Sequence, residues 1–188
     1  YVMGELAGKS GWESIHAEAL EEGMSPWEAW MGRGQTMFLL ESYVEAYEAF
    51  TQAIKLDATD AVCFFMRGST LRLLNRLDEA LRDYDIAIKL SPEDAMMIYA
   101  RGEVLLQLRQ LDKSEADLLL AIDMDAENVN ALYDMACLSA LQAKVQTSCE
   151  WLKRTITLSD EYREIARQDH CFDLICDAPC FQALINPE

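Results

Sequence analysis

The dipeptide Arg-Gly occurs at 33–34, 67–68 and 101–102, three times at an interval of 34 residues. Self-similarity at a fixed period marks a chain built of stacked supersecondary units, and a period of about 34 is that of a helix-turn-helix pair. The frame divides the chain into 27–60, 61–94, 95–128 and 129–162, with places counted from 1 in each copy. Place 8 reads Gly34, Gly68, Gly102 and Ala136; place 20 reads Ala46, Ala80, Ser114 and Ser148; place 27 reads Ala53, Ala87, Ala121 and Thr155. Bulky residues stand between them, as Phe64, Leu71 and Tyr84 do in the second copy, which closes on Pro92. Small residues in set places let two helices approach closely. Each copy is therefore predicted to hold a helix A over places 1 to 14 and a helix B over about 16 to 30. Neither helix can bury its apolar stripe alone, and stacking buries it.

This layout resembles the tetratricopeptide repeat family over residues 27–162. The resemblance implies an all-α fold, a right-handed superhelix (α-solenoid) of four stacked helix-turn-helix units with extra N- and C-terminal helices. Two departures stand out. Proline at place 32 survives only as Pro92, with Ala58, Ala126 and Asp160 elsewhere, and the fourth unit has Ser139 where the others carry a bulky residue at place 11.

The domain reading is an N-terminal arm and helix over 1–24, four units over 25–162 and capping helices over 163–188. Ser10 followed by Glu13 forms a capping box that starts a helix to about Glu22, with Trp12, Ile15, Ala19 and Leu20 on one stripe. Gly23 stops it, and Ser25, Pro26 and Glu28 then supply a cap, a proline at the first helical position and an acid in the first turn. Beyond Tyr162 the sequence reads as the end of one helix, then two short helical pieces broken at Pro179. The stretch FDLICDAPCFQAL resembles the tail of many bacterial repeat proteins of this family. Ile165, Phe172, Leu174, Ile175, Phe181 and Leu184 suit it to cover the last apolar face.

Composition bounds the function. Apolar residues make up 51%, enough for a core, while 33 acidic against 16 basic residues leave a net charge of -17. That field repels nucleic acids and anionic membranes and favours basic or neutral partners, or serves solubility alone. No apolar run approaches the ~20 residues that span a bilayer. Residues 1–30 lack a basic-then-apolar signal pattern, so a cytoplasmic protein is expected. The chain opens on Tyr1, which leaves an upstream segment open.

Chemistry is sparse. GELAGKS, at 4–10, has three residues between its glycines where a phosphate-binding loop needs four, and no strand precedes it. His16 and His170 are the two histidines, and neither sits at a metal-binding spacing such as HExxH. The acidic residues scatter along helix faces, as on a solvated surface. No catalytic residue and no cofactor is therefore assigned. His170, Cys171, Cys176 and Cys180, with Cys149 as a fifth candidate, are the right ligand types for zinc at spacings that match no zinc knuckle. Metal, a reversible disulfide regulating the array, and ordinary buried thiols stay open there. Cys63 and Cys137 read as small apolar residues on helices.

The resemblance implies that places 2, 5, 6, 9, 12 and 13 of each helix A line a concave groove. Those places carry Met31, Gln35 and Phe38 in the first unit, Phe65, Met66, Ser69 and Arg72 in the second, Met96, Tyr99 and Glu103 in the third, and Tyr133 in the fourth. Methionine and aromatic side chains suit an apolar or amphipathic helix or peptide of another protein. The chain's own N-terminal helix, or a second copy in a homodimer, is the alternative occupant. Chaperone-binding members of the family clamp acidic C-terminal tails with Lys, Asn and Arg, and the matching places here are Met31, Gln35, Met66, Met96 and Ala100. With no fixed cation and a net charge of -17, acidic tail peptides are disfavoured. A scaffold module is the first expectation, a dedicated acidic chaperone for one client the second, and an adaptor regulated by metal or redox chemistry the third.

Overall fold

The computed structural model describes residues 23–187; the expected arm over 1–10 and the helix over 10–22 lie outside them. All regular structure among the described residues is helical, in two compact bodies that meet in sequence between Pro92 and Glu93. The first body holds α1 (Pro26–Leu39), α2 (Tyr43–Leu56), α3 (Ala61–Leu73) and α4 (Leu77–Leu90). The second holds α5 (Ala95–Gln107), α6 (Leu111–Met124), α7 (Val129–Leu141), α8 (Val145–Leu158), α9 (Tyr162–Gln168), a 3-10 helix (His170–Ile175) and α10 (Pro179–Ile185). Helices α3, α5 and α7 run from place 1 to place 13 of the frame, one residue shorter than read, while α1 opens one place earlier and also ends at place 13; α2, α4, α6 and α8 open at place 17. The tail departs from the reading in one respect. Residues 162–168 form a separate short helix, and Pro179 opens α10 at its first position.

The last place of a repeat sets where the next helix A starts. Asp60, Asp94 and Asn128 accept hydrogen bonds from backbone amides of Cys63, of Met96 and Met97, and of Ala131, satisfying donors that a helix N-terminus leaves orphaned. At α1 the full capping box forms, with the Glu28 amide donating to the Ser25 hydroxyl and the Ser25 amide to the Glu28 carboxylate. Between helix A and helix B of all four pairs the chain turns through one left-handed residue: Glu41, Asn75, Arg109 and Ala143, at φ of 58°, 57°, 58° and 56°. In each, the amide three positions past the end of helix A donates back to a carbonyl in its last turn, as Ser42 does to Met37.

Within a pair, place 8 faces place 24. A Cβ built on Gly34 would lie 2.5 Å from Phe50, one on Gly68 2.9 Å from Tyr84, and one on Gly102 3.1 Å from the Cβ of Asp117. Place 20 is small for the same reason and adds a bond where it is serine. The hydroxyls of Ser114 and Ser148 donate to the carbonyls of Gly102 and Ala136 at 2.8 Å. The repeated arginine at place 7 closes on place 23, a partner that the Arg-Gly pattern alone does not reveal. Arg67 grips Asp83 through two bonds of 2.7 Å, and Arg101 grips Asp117 at 2.7 and 2.8 Å. In the first repeat place 23 is Ala49. The Nε of Arg33 is buried there without a hydrogen-bond partner, and its guanidinium lies over the Trp30 ring at 5.2 Å. In the fourth repeat the two places are Met135 and Trp151.

Candidate functional site

A helix A that turns places 4, 8 and 11 toward its own helix B leaves places 5, 9 and 12 about a third of a turn away. In the first body that rotation leaves Gln35 exposed, and Phe38, Phe65, Met66 and Arg72 half-buried. Phe38 meets Tyr43 edge to face at 5.8 Å, and Phe65 leans on Tyr84 at the same distance. Leu39 and Leu73 are open as well, at 81% and 41%. Met31 and Ser69, expected on this face, are buried. Met31 packs against Cys63, whose Sγ lies 3.1 Å from its Sδ, and Ser69 shares a 3.1 Å hydrogen bond with the Tyr84 hydroxyl. Burial, helped by the charge of Asp60, pushes the Cys63 thiol up to about 12.

In the second body Met96 stands on the first turn of α5 at 62% exposure, with Tyr99 and Glu103 half-buried further along the helix. Tyr133 on α7 is only 7% exposed, because the C-terminal segment covers it. Its ring lies 4.9 Å from that of Tyr162 and 5.9 Å from that of Phe172, and its hydroxyl donates to Asp169 at 2.8 Å. Place 5 of a last helix A faces the cap, and the frame alone carries no mark of that. Phe172, Ile175 and Phe181 are buried in this cap and Leu184 packs against it, whereas Ile165 and Leu174 stay exposed. Asp169 is the cap's charged centre. Burial works against its ionised form, but the Cys171 amide and the Tyr133 hydroxyl outweigh it and hold the carboxyl below the usual range.

The sulfur and imidazole ligands weighed for zinc do not converge. His170 is exposed with its Nδ1 3.3 Å from Asp173, Cys176 is exposed, and Cys180 is bonded to Cys149 in a disulfide between α10 and α8. Adjacent residues on a 3-10 turn diverge, so His170 points to solvent while Cys171 turns inward beside Cys137.

The family model for the tetratricopeptide repeat matches residues 65–129, which hold α4, α5 and α6 entire and most of α3. Those residues carry the tetratricopeptide repeat. No curated protein matches it by sequence. Among solved structures it is similar to PilW, a widely conserved type IV pilus biogenesis factor, at 17% identity over 93% of this chain and 83% of that one, with a TM-score of 0.76. It is similar to YrrB, a TPR protein with an unusual peptide-binding site, at 23% identity over 84% and 80%, with a TM-score of 0.70. The first TPR of Spaghetti (RPAP3), solved bound to the HSP90 peptide SRMEEVD, matches at 20% identity over 62% and 93%, with a TM-score of 0.61. At these identities the likeness establishes the fold, an α-solenoid of tetratricopeptide repeats. Such repeats are in general a protein-interaction scaffold, and no helix among the described residues is long and apolar enough to cross a membrane.

Proposed function

We propose that this tetratricopeptide repeat chain is a non-catalytic interaction module whose helix A faces hold an apolar or amphipathic segment of another protein in a concave groove. The observation that carries the reading is Met96, 62% exposed on α5, with Tyr99 half-buried further along that helix; in the first body, taken by itself, Phe65 and Met66 are half open on α3. Unbranched, polarisable and flat side chains adapt to a helix or strand laid across them, and apolar surface of this kind is rarely left bare. Basic residues flanking the bound segment suit the net charge of -17. Acidic tails do not, since Gln35 is the one polar side chain at the family's clamp places and Met31 and Ala100 are buried. The work of the repeats, on this reading, is to assemble proteins.

A displayed library of helical amphipathic peptides, selected on the full chain and measured by fluorescence anisotropy, tests it. Phe65→Glu with Met96→Glu is expected to weaken the selected peptides at least tenfold, about 1.4 kcal/mol, while the circular dichroism of the variant stays helical. Unchanged affinity in a helical variant would remove the groove as the working surface.

A further inference from the structure

The cap is fastened to the last helix pair at two points, and only one of them is a bond already. Cys149 on α8 is joined to Cys180 on α10. The second point is a pair of free thiols: Cys137, buried on α7, and Cys171, half-buried on the 3-10 helix, with Sγ atoms 2.6 Å apart. That separation is within about 0.6 Å of the disulfide bond length of about 2.05 Å. Two zinc ligands held about 2.3 Å from a tetrahedral ion would instead stand roughly 3.8 Å apart. Asp169, whose oxygen comes within 4.8 Å of both sulfurs, already accepts from the Tyr133 hydroxyl and the Cys171 amide. The geometry favours a bond between the sulfurs over a metal held by all three groups.

We propose that Cys137 and Cys171 are a modification site at which a low-molecular-weight disulfide, of which oxidised glutathione is the probe, closes a second bond between the cap and the last repeat. Cys171, the more accessible sulfur, loses its proton and attacks one sulfur of glutathione disulfide, forming a mixed disulfide and releasing one glutathione. Cys137 then loses its proton and attacks the Cys171 sulfur, releasing the second glutathione. The protein pair gives up two electrons and two protons, and glutathione disulfide takes them up as two thiols. The two cap bonds interleave along the chain, since Cys137, Cys149, Cys171 and Cys180 pair first with third and second with fourth. The neighbouring thiol, burial and Asp169 hold the Cys171 thiol in its protonated form; at Cys137 the hydrogen bond with Cys171 works the other way, but burial and the charge of Asp169 outweigh it and raise that thiol too. Such thiols are poor leaving groups, so the closed bond resists reduction and works as a lock.

The test uses the full chain, reduced, freed of reductant, equilibrated with oxidised and reduced glutathione, then alkylated in denaturant. Cleavage with trypsin and with an enzyme that cuts before aspartate separates every cysteine, because Lys144 parts Cys137 from Cys149 while Asp173 and Asp177 part the three in the tail. The expected result is alkylation at Cys63 and Cys176 alone, with the Cys137 peptide recovered joined to the Cys171 peptide. Alkylation at all four of the cysteines now free, or Cys171 joined to Cys176, would overturn the proposal. So would one equivalent of zinc in protein purified without chelator, with Cys137 and Cys171 shielded until a chelator removes it. Because Cys137 is buried and its replacement can disturb folding, Cys171→Ser is the second arm. It is expected to lose the joined peptide, keep the Cys149–Cys180 peptide and remain helical. A joined Cys137 peptide persisting in that variant would equally overturn the assignment.

Discussion

The identity of single residues at place 24 decides how much room place 8 has. Phe50 and Tyr84 reach across to Gly34 and Gly68, whereas Leu152 faces Ala136 in the fourth pair. Gly34→Ala forces the Phe50 ring to move, and overpacking of that kind outweighs the gain in helix propensity. A loss of about 2 kcal/mol is expected for it in urea denaturation. Gly102→Ala meets Asp117 and Leu118 at 3.1 Å or more and is expected to stay within about 1 kcal/mol of the parent, since the helix propensity of alanine offsets the tighter contact. Asp169 sets a second test. Its carboxyl is depressed in the folded state, so the stability it contributes is present above the unfolded value of about 3.9 and is lost as pH falls through the lower folded value. Thermal melts of the parent and of Asp169→Asn are expected to differ most near pH 6 and to converge once pH has fallen below the depressed folded value. A gap that persists in acid would contradict this.

At the scale of elements, the tight turn between helix A and helix B is the least comfortable part of the design. Left-handed backbone costs a residue with a Cβ roughly 1 to 2 kcal/mol, and only Asn75 among the four tolerates it readily. Ala143→Gly is expected to raise stability by about 0.5 to 1 kcal/mol, with Asn75→Gly giving less; calorimetric melting temperatures decide it. These turns also mark the limit of what the sequence discloses. Helix starts and the packing at places 8, 20 and 27 were legible because small residues and bulky stripes recur at a period longer than any local motif. The turns were not, because Glu41, Arg109 and Ala143 carry no left-handed signature and are placed by the helices on either side. The acids facing Arg67 and Arg101 lie sixteen residues away, where neither a helical nor a strand periodicity points to them. At the candidate site, exposure of Met96 and Gln35 followed from the frame. Burial of Met31, Ser69 and Tyr133 depends on what packs over them, and a repeat pattern does not encode it.

For the whole molecule, charge governs encounter with a partner. With a net of -17, a bound segment with basic flanks gains from long-range attraction that salt screens, the Debye length falling from about 10 Å at 0.1 M to about 3 Å at 1 M. A selected peptide is expected to bind about tenfold more weakly across that range, and a charge-reversed version at least tenfold more weakly at the lower salt, both read by anisotropy. Binding of an acidic tail peptide such as SRMEEVD at micromolar strength would overturn this account of the surface.

The ion pairs between places 7 and 23 bear on how such a chain changes length over generations. Both Arg67 with Asp83 and Arg101 with Asp117 close within a single 34-residue cassette. A duplication or deletion cut at equivalent places carries both partners together and strands no buried charge. A gene built this way can gain or lose whole cassettes without passing through a broken intermediate. The first cassette holds one half of the pair alone, with Arg33 at place 7 and Ala49 at place 23.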